Sequence, residues 1–124
     1  MFKDTKAFSS FSVNDLAKAR TFYGDVLGLN VTEENGMLRV QIAGGNPLLI
    51  YPKDNHVPAT YTILNFPVAN LDQAVDELVR RGVRFEHYEG FNQDEKGIVR
   101  EDMGPGIAWF TDPAGNILAV IQDG

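Results

Sequence analysis

Few side chains in this sequence could carry acid–base or metal chemistry, and they are scattered along it. His56 lies in a turn-rich segment, residues 54–58, and His87 lies in a strand-like segment together with Glu89. The two histidines form no HExxH-type cluster, so no local metal motif is present. The chain has no cysteine, which excludes thiolate metal ligands, thiol nucleophiles and disulfides.

A metal-free acid–base site is one interpretation of these residues. His87 and Glu89 have the same strand parity, so both could face a pocket and form a polar rim with Arg100. A carboxylate beside a histidine can tune it as a general base. The competing interpretation is that each histidine is a surface or rim residue. No motif favours catalysis, and the catalytic residues stay unassigned.

Length and charge limit the class of protein. The chain has 124 residues, 44% of them hydrophobic and 23% charged, which fits one globular domain. A formal net charge of −6 argues against a nucleic-acid-binding protein, because such proteins need a basic face. No apolar run resembles a signal peptide or a membrane span. We therefore expect a cytoplasmic protein without nucleic-acid or membrane partners.

The sequence repeats one pattern twice. An apolar set near the start recurs near the middle in the same order and spacing: Phe11, Val13, Leu16 and Ala19 correspond to Phe66, Val68, Leu71 and Ala74. Asp15 and Asn70 occupy equivalent places before an apolar run, and both residue types are good helix N-caps. Each half therefore begins with an extended segment, a cap and a helix.

The same order of elements follows in each half. Apolar residues spaced by about 3.6 positions predict helices near Asn14–Leu27 and Asn70–Arg81. Strand-like segments follow at residues 29–34, 37–42 and 47–51, and again at 83–89, 107–111 and 117–121. This order predicts an α+β fold of two tandem βαβββ modules, about residues 6–52 and 60–122, in a single domain spanning residues 1–124. Curved, mostly antiparallel sheets would surround a cleft. Residues 92–105 are either a mobile flap or a long surface hairpin.

Two motifs bracket nearly the whole chain and carry a family resemblance. Residues 13–29 begin with Val-Asn-Asp-Leu, continue through Ala19 and Phe22-Tyr23, and end with Val-Leu-Gly-Leu. This segment resembles the opening of the vicinal oxygen chelate superfamily of glyoxalases, bleomycin-resistance proteins and extradiol dioxygenases. Residues 110–116, Phe-Thr-Asp-Pro-Ala-Gly-Asn, resemble its closing turn. The resemblance implies the tandem fold but no single function, because members include enzymes and drug-binding proteins.

The closing motif also has a structural interpretation of its own. Asp112, Gly115 and Asn116 are residue types that form tight turns through side-chain-to-backbone hydrogen bonds and a positive φ. We predict that role for them rather than a catalytic one.

The resemblance also implies where a metal ion would be held. Metal-dependent members use four inward-facing His, Gln or Glu side chains. Counting from the two motifs places two of these positions at Phe8 and Ala119, the equivalent count from Val68 gives Ile63, and the end of the fourth predicted strand gives Ile50 or its neighbour Tyr51. Phe, Ile and Ala side chains cannot bind a metal. The sequence therefore predicts a member that has lost the metal site and needs no cofactor.

Strand alternation predicts what lines the cleft instead. Phe8, Ser10 and Ser12 would face it from the first module, and Ile63, Asn65 and Ala119 from the second. The full set of predicted ligand-binding residues is Phe8, Ser10, Ser12, Ile50, Ile63, Asn65, His87, Arg100, Trp109 and Ala119. Such a cleft is typical of a small-molecule site. In the alternative interpretation these side chains pack together and fill the cleft, and Trp109 is ordinary packing.

The function predicted from these residues is metal-independent binding of a small organic molecule, of the glyoxalase/bleomycin-resistance type. Aromatic faces could stack on a planar or cationic ligand, and the candidates are Phe8, Tyr51, Tyr61, Tyr88 and Trp109. The alternative is a glyoxalase- or dioxygenase-like lyase or oxidoreductase, either metal-dependent or with a non-standard site. A homodimer is expected, because each module alone buries little and its open sheet edges need partners.

Overall fold

Each half of the chain folds as a small sheet with one helix against it, in a computed structural model that describes residues 1–100 and 105–123. The chain divides into two compact units, Met1–Val57 and Pro58–Gly124. Within the described residues, two helices and seven strands form an α+β fold, as predicted. No helix among them combines the length and apolar character that crossing a membrane requires.

The first unit is a four-stranded sheet in the order β1-β4-β3-β2. Its elements are β1 (Ser10–Val13), α1 (Leu16–Arg20), a π-helical continuation (Thr21–Val26), β2 (Val31–Glu34), β3 (Met37–Val40) and β4 (Leu48–Pro52). Asp15 caps the helix, since its carboxylate accepts a hydrogen bond from the Lys18 N–H at 3.1 Å. The predicted helix is therefore present, with its second half wound more loosely.

The second unit is a three-stranded sheet in the order β5-β7-β6. Its elements are β5 (Thr62–Val68), α2 (Leu71–Arg80), β6 (Ile107–Thr111) and β7 (Ile117–Gln122). Asn70 caps α2 by accepting a hydrogen bond from the Gln73 N–H at 3.0 Å, which matches the role of Asp15 in the first unit. The repeated sequence pattern thus produces the same strand–cap–helix start in both units.

One detail of the predicted fold is wrong and one is refined. Both sheets are mixed: β1 pairs in parallel with β4, and β5 with β7, while the other three pairings between these strands are antiparallel, as predicted. The predicted strand at residues 83–89 is reduced to one bridge between Phe85 and Phe110. In each unit a helix follows the first strand and brings the chain back to the sheet, so the last strand can run parallel to the first. The local pattern of hydrophobic residues does not reveal this pairing.

The segment after this bridge is anchored up to residue 100. Gln93 bridges to Val99, and Val99 bridges in turn to Ile107 at the start of β6. Ile98 and Val99 are buried. Of the two predicted interpretations, the described part matches a surface hairpin, and residues 101–104 lie outside the described residues.

Candidate functional site

The two faces of the first sheet differ sharply in character. On the face that packs against the helix, Phe11 lies beside Ile50, and its ring is 5.8 Å from the ring of Tyr23. On the opposite, open face, β1 contributes Ser10 beside Leu49 and Ser12 beside Tyr51. Because paired residues share a face, these pairings identify which side chains of β1 and β4 lie on the open face.

Ile50 is a correction to the predicted site. It pairs with Phe11 and Leu38 and is fully buried on the helix-facing side of the sheet. The residues of β4 on the open face are Leu49 and Tyr51. The prediction counted to the end of the strand and was one residue off, and a shift of one residue changes the face of the sheet.

A pocket of about 290 Å³ lies along the open face of this sheet. Its walls combine apolar and cationic side chains, from Lys6, Phe8, Met37, Arg39, Asn46, Pro47, Leu48 and Leu49. Phe8 is 64% exposed, a large aromatic ring left largely to solvent. The Asn46 amide donates a hydrogen bond to the Ala7 carbonyl at 2.8 Å, which ties the segment carrying Phe8 to the loop before β4.

Arg39 and Lys6 give this pocket its polar chemistry. Arg39 lies in the row of Leu49 on the open face, and its guanidinium is 3.3 Å from the Glu34 carboxylate. Both ends of this ion pair are about half exposed, so water screens it and the guanidinium can exchange partners. The pocket therefore combines hydrogen-bond donors with hydrocarbon surface. Sequence reasoning missed Lys6, Met37 and Leu49, because their grouping depends on contacts between segments that are far apart in sequence.

His56 is paired rather than solitary. Its Nδ1 lies 2.6 Å from the Ser12 hydroxyl oxygen, which belongs to the open face. Which of the two groups donates depends on the tautomer of the imidazole. Sequence reasoning took His56 for a lone loop residue, since 44 positions separate it from Ser12.

In the second unit the open face carries three predicted residues in one row. Asn65 pairs with Ala119, and Ala119 pairs with Trp109. Ala119 is fully buried, while Asn65 is exposed and Trp109 is half-buried. Ile63 lies where β5 carries one residue more than β7, a bulge that ends simple alternation at that point.

An aromatic cluster surrounds Trp109. Its ring is 5.0 Å from the ring of Phe91 and 5.6 Å from that of Tyr88, at interplanar angles of 56° and 67°. Burial, and secondly the Glu86 carboxylate, raise the pKa of Tyr88 above its ordinary value of 10.0, so its phenol stays neutral. Glu86 also approaches the Thr111 hydroxyl at 3.5 Å.

His87 and Arg100 lie elsewhere, which corrects the predicted polar rim. The bridge to Phe110 brings the Phe85 ring within 5.6 Å of the Phe110 ring on the helix-facing side of the sheet. His87 has the same parity, and it lines a groove with Val75 and Val79 of α2. Arg100 binds Asp72 of α2. The side chains on the open side of this segment are instead Glu86 and Tyr88.

Arg100 belongs to an ion-pair network that fixes the segment before residue 101 to α2. Arg100 contacts Asp72 and Asp94, and Lys96 contacts Asp72 and Asp76. The Arg100 hydrogen bond lowers the pKa of Asp72. Burial alone would raise the pKa of Asp94, but hydrogen bonds from the Ile98 N–H, Arg100 and the Lys96 N–H outweigh it and lower the pKa.

This network predicts acid sensitivity. A carboxylate with a lowered folded-state pKa stabilises fully above its ordinary pKa of 3.8, and the stabilisation is lost as pH falls through the folded-state pKa. When the pH is lowered from 7 to 3, we expect the free energy of unfolding to decrease less in Asp94→Asn than in the wild type. Urea denaturation at each pH measures this difference. Asp4→Asn, at the exposed N-terminus, is the control and should follow the wild type. Equal losses in Asp94→Asn and the wild type would contradict the role of the network.

The closing turn has the predicted structure. The Asp112 carboxylate accepts hydrogen bonds from the Ala114 and Asn116 N–H groups, both at 2.9 Å, and from the Asn116 side chain at 3.0 Å. Gly115 has a φ of 86°, a conformation that favours glycine. Asp112 and Asn116 are both buried, so the hydrogen bonds of this turn are shielded from water.

The positions expected to hold a metal ion do not fit one. Phe8, Ile50, Ile63 and Ala119 present only hydrocarbon, and a divalent ion needs oxygen, nitrogen or sulfur ligands to replace its hydration. Across residues 1–100 and 105–123, no three His, Asp or Glu side chains are grouped so as to hold a metal ion. None of these four side chains could therefore ligate a divalent ion.

The family follows from a sequence model. The model of the Glyoxalase/Bleomycin resistance protein/Dioxygenase superfamily matches residues 8–120, and this chain belongs to that superfamily. The match confirms the resemblance carried by the two bracketing motifs. Comparison with curated proteins finds no significant match.

Solved structures share the fold at low sequence identity. A superfamily member from Sphaerobacter thermophilus is 22% identical, with a TM-score of 0.70 over 94% of this chain and 97% of that one. An antibiotic-binding protein from a Streptomyces species is 21% identical, with a TM-score of 0.69 over 98% of each chain. A fosfomycin resistance protein from Listeria monocytogenes is 16% identical, with a TM-score of 0.72 over 95% and 92%. At these identities the likeness concerns the fold.

Proposed function

We propose that this protein binds a small organic ligand without a metal ion, and that the pocket beside Phe8 is part of its binding site. One observation carries the proposal. At the first expected metal-ligand position the chain has a largely exposed phenylalanine, and this ring lines a pocket on the open face of a sheet. An exposed aromatic ring in a pocket is a feature of ligand recognition rather than of core packing.

The pocket favours a ligand with an apolar body and an acceptor group. Phe8, Met37 and Leu49 offer apolar surface, whose burial stabilises a complex by about 25 cal/mol per Å². Lys6 and Arg39 can donate hydrogen bonds to a carboxylate or carbonyl oxygen of the ligand. The antibiotic-binding protein that shares this fold supports the assignment to this class of function.

The remaining parts of the proposal come from the sequence. We expect a homodimer, because the edge strands of both small sheets have no neighbouring strand on one side within their own sheet. Light scattering at micromolar concentration measures the molecular mass that tests this expectation. We also propose a cytoplasmic location, because a chain without cysteine fits a reducing compartment.

Phe8 provides the direct test. A thermal-shift screen of amphipathic organic acids and aromatic antibiotics identifies a ligand, and titration calorimetry then compares variants. We expect Phe8→Ala to weaken binding by roughly 1–3 kcal/mol, because the ligand loses an aromatic contact. Phe2→Ala is the matched control, since Phe2 is also an exposed phenylalanine of the N-terminal segment and does not line the pocket.

Two results would contradict the proposal. Unchanged affinity in Phe8→Ala would place the ligand elsewhere. A stoichiometric divalent metal in the purified protein, removed by a chelator together with ligand turnover measured by mass spectrometry, would identify a metal-dependent enzyme instead.

A further inference from the structure

We propose that the aromatic cluster of the second unit, Tyr88, Phe91 and Trp109 with the carboxylate of Glu86, is a recognition site for an organic cation, such as an N-alkylated ammonium group. The cluster uses none of the residues that line the pocket beside Phe8. The inference therefore goes beyond the function proposed for that pocket.

The three rings have an arrangement suited to a cation. Ring-centre distances of 5.0 and 5.6 Å and interplanar angles of 56° and 67° show that neither Phe91 nor Tyr88 stacks flat on Trp109. Such tilted contacts leave ring faces uncovered by the neighbouring ring. A ring face carries partial negative charge and attracts a cation within about 6 Å of its centre.

Exposure shows that the cluster is not a closed core. Phe91 is 51% exposed, and Tyr88 and Trp109 are only half-buried. The adjacent residue of the same strand, Phe110, is fully buried on the opposite face, so β6 already contributes one ring to the core. The open face thus holds aromatic surface beyond what packing of this sheet needs.

The charges around the cluster have the sign that a cation requires. Glu86 lies next to Tyr88 on the open side, and within the described part of the chain no lysine or arginine forms an ion pair with it. The two cations of the neighbouring hairpin, Lys96 and Arg100, are held by aspartates on the α2 side. Positive charge is therefore directed away from the cluster, and the chain carries a formal net charge of −6.

Gln93 holds the cluster in place before any ligand arrives. Its side-chain oxygen accepts a hydrogen bond from the Tyr88 N–H at 2.7 Å. Its amide nitrogen donates to the Glu86 carbonyl at 2.9 Å and to the Gly97 carbonyl at 2.7 Å. One side chain thus fixes the turn that carries Glu86, Tyr88 and Phe91, which reduces the entropy lost on binding. Gln93 acts as a positioning residue.

The sequence provides a direct reporter, because Trp109 is the only tryptophan of the chain. Its fluorescence is measured while benzyltrimethylammonium is added, and separately while neutral benzyl alcohol is added. We expect a saturable change with the cation, and binding of the neutral compound weaker by about 3- to 30-fold, the range typical of cation–π contacts.

Two variants separate the contributions of ring and charge. Phe91→Leu keeps apolar volume but removes the ring face, and Glu86→Gln removes the charge; we expect each to weaken cation binding by about 3- to 10-fold. Glu95→Gln is the control for charge, because Glu95 is exposed and lines the groove on the α2 side. Phe91 and Glu86 are not in the core, so both variants should fold, which circular dichroism verifies.

The proposal is overturned by an absent fluorescence change, by equal affinity for the cation and benzyl alcohol, or by Phe91→Leu and Glu86→Gln both binding as the wild type does. None of these results affects the test at Phe8, and a failure at Phe8 leaves the expected response of Trp109 unchanged. The two proposals can therefore fail independently.

Discussion

Replacing Phe110 by alanine should lower the free energy of unfolding by about 3–5 kcal/mol, the largest effect we expect from a single substitution in this chain. Phe110 is fully buried in β6, and its ring lies 5.6 Å from that of Phe85 in a tilted contact. Truncation removes this aromatic pair and leaves a cavity that the surrounding sheet and helix cannot fill without moving.

The measurement is urea denaturation followed by far-ultraviolet circular dichroism, with Phe91→Ala as the matched control. Phe91 is also a phenylalanine of the second unit, but it is 51% exposed, so its removal should cost much less, about 1 kcal/mol or below. If both variants lost similar stability, the assignment of Phe110 to the core and Phe91 to the open face would be wrong.

Replacing Asp112 by alanine should lower the free energy of unfolding by about 2–4 kcal/mol. Inside the closing turn this carboxylate accepts hydrogen bonds from the Ala114 and Asn116 N–H groups and from the Asn116 side chain. Alanine has no acceptor to replace them, and both Asp112 and Asn116 are buried, so water cannot easily take its place.

Asp112→Asn separates the acceptor from the charge. Its amide oxygen can still accept from the backbone, so we expect a smaller loss of stability than in Asp112→Ala, with thermal melts of both variants as the measurement. Pro113→Ala is the control within the same turn, because Pro113 is exposed. An Asp112→Ala variant as stable as the wild type would mean that the turn does not depend on this carboxylate.

Both predictions concern β6 and the turn after it, where structure and candidate function lie side by side. Trp109 and Phe110 are consecutive residues on opposite faces of one strand. The Phe110 side supports the fold, whereas the Trp109 side carries the proposed cation site. Stability and ligand affinity should accordingly respond to different residues, even where these are neighbours in the sequence.

The features predicted correctly from the sequence are those decided over short stretches of chain. The caps at Asp15 and Asn70, the two helices and the Asp112–Asn116 turn depend on residues within one or two turns of one another. The repeat of one pattern then indicated two modules, and the two bracketing motifs indicated the superfamily that the family model matches. Local hydrogen bonds and hydrophobic periodicity suffice for such predictions.

The identity of the residues on each open face was decided only by the tertiary structure. Alternation along a strand shows which residues share a face, but not which face is open, because that depends on pairing with a distant strand. Ile50 is buried because it pairs with Phe11 on the helix-facing side of the first sheet. His87 faces α2 because Phe85, two residues earlier, bridges to Phe110. That same bridge directed Glu86 and Tyr88 to the side of Trp109. A shift of one residue in either pairing would exchange the two sets of side chains, and only contacts between residues far apart in sequence exclude it.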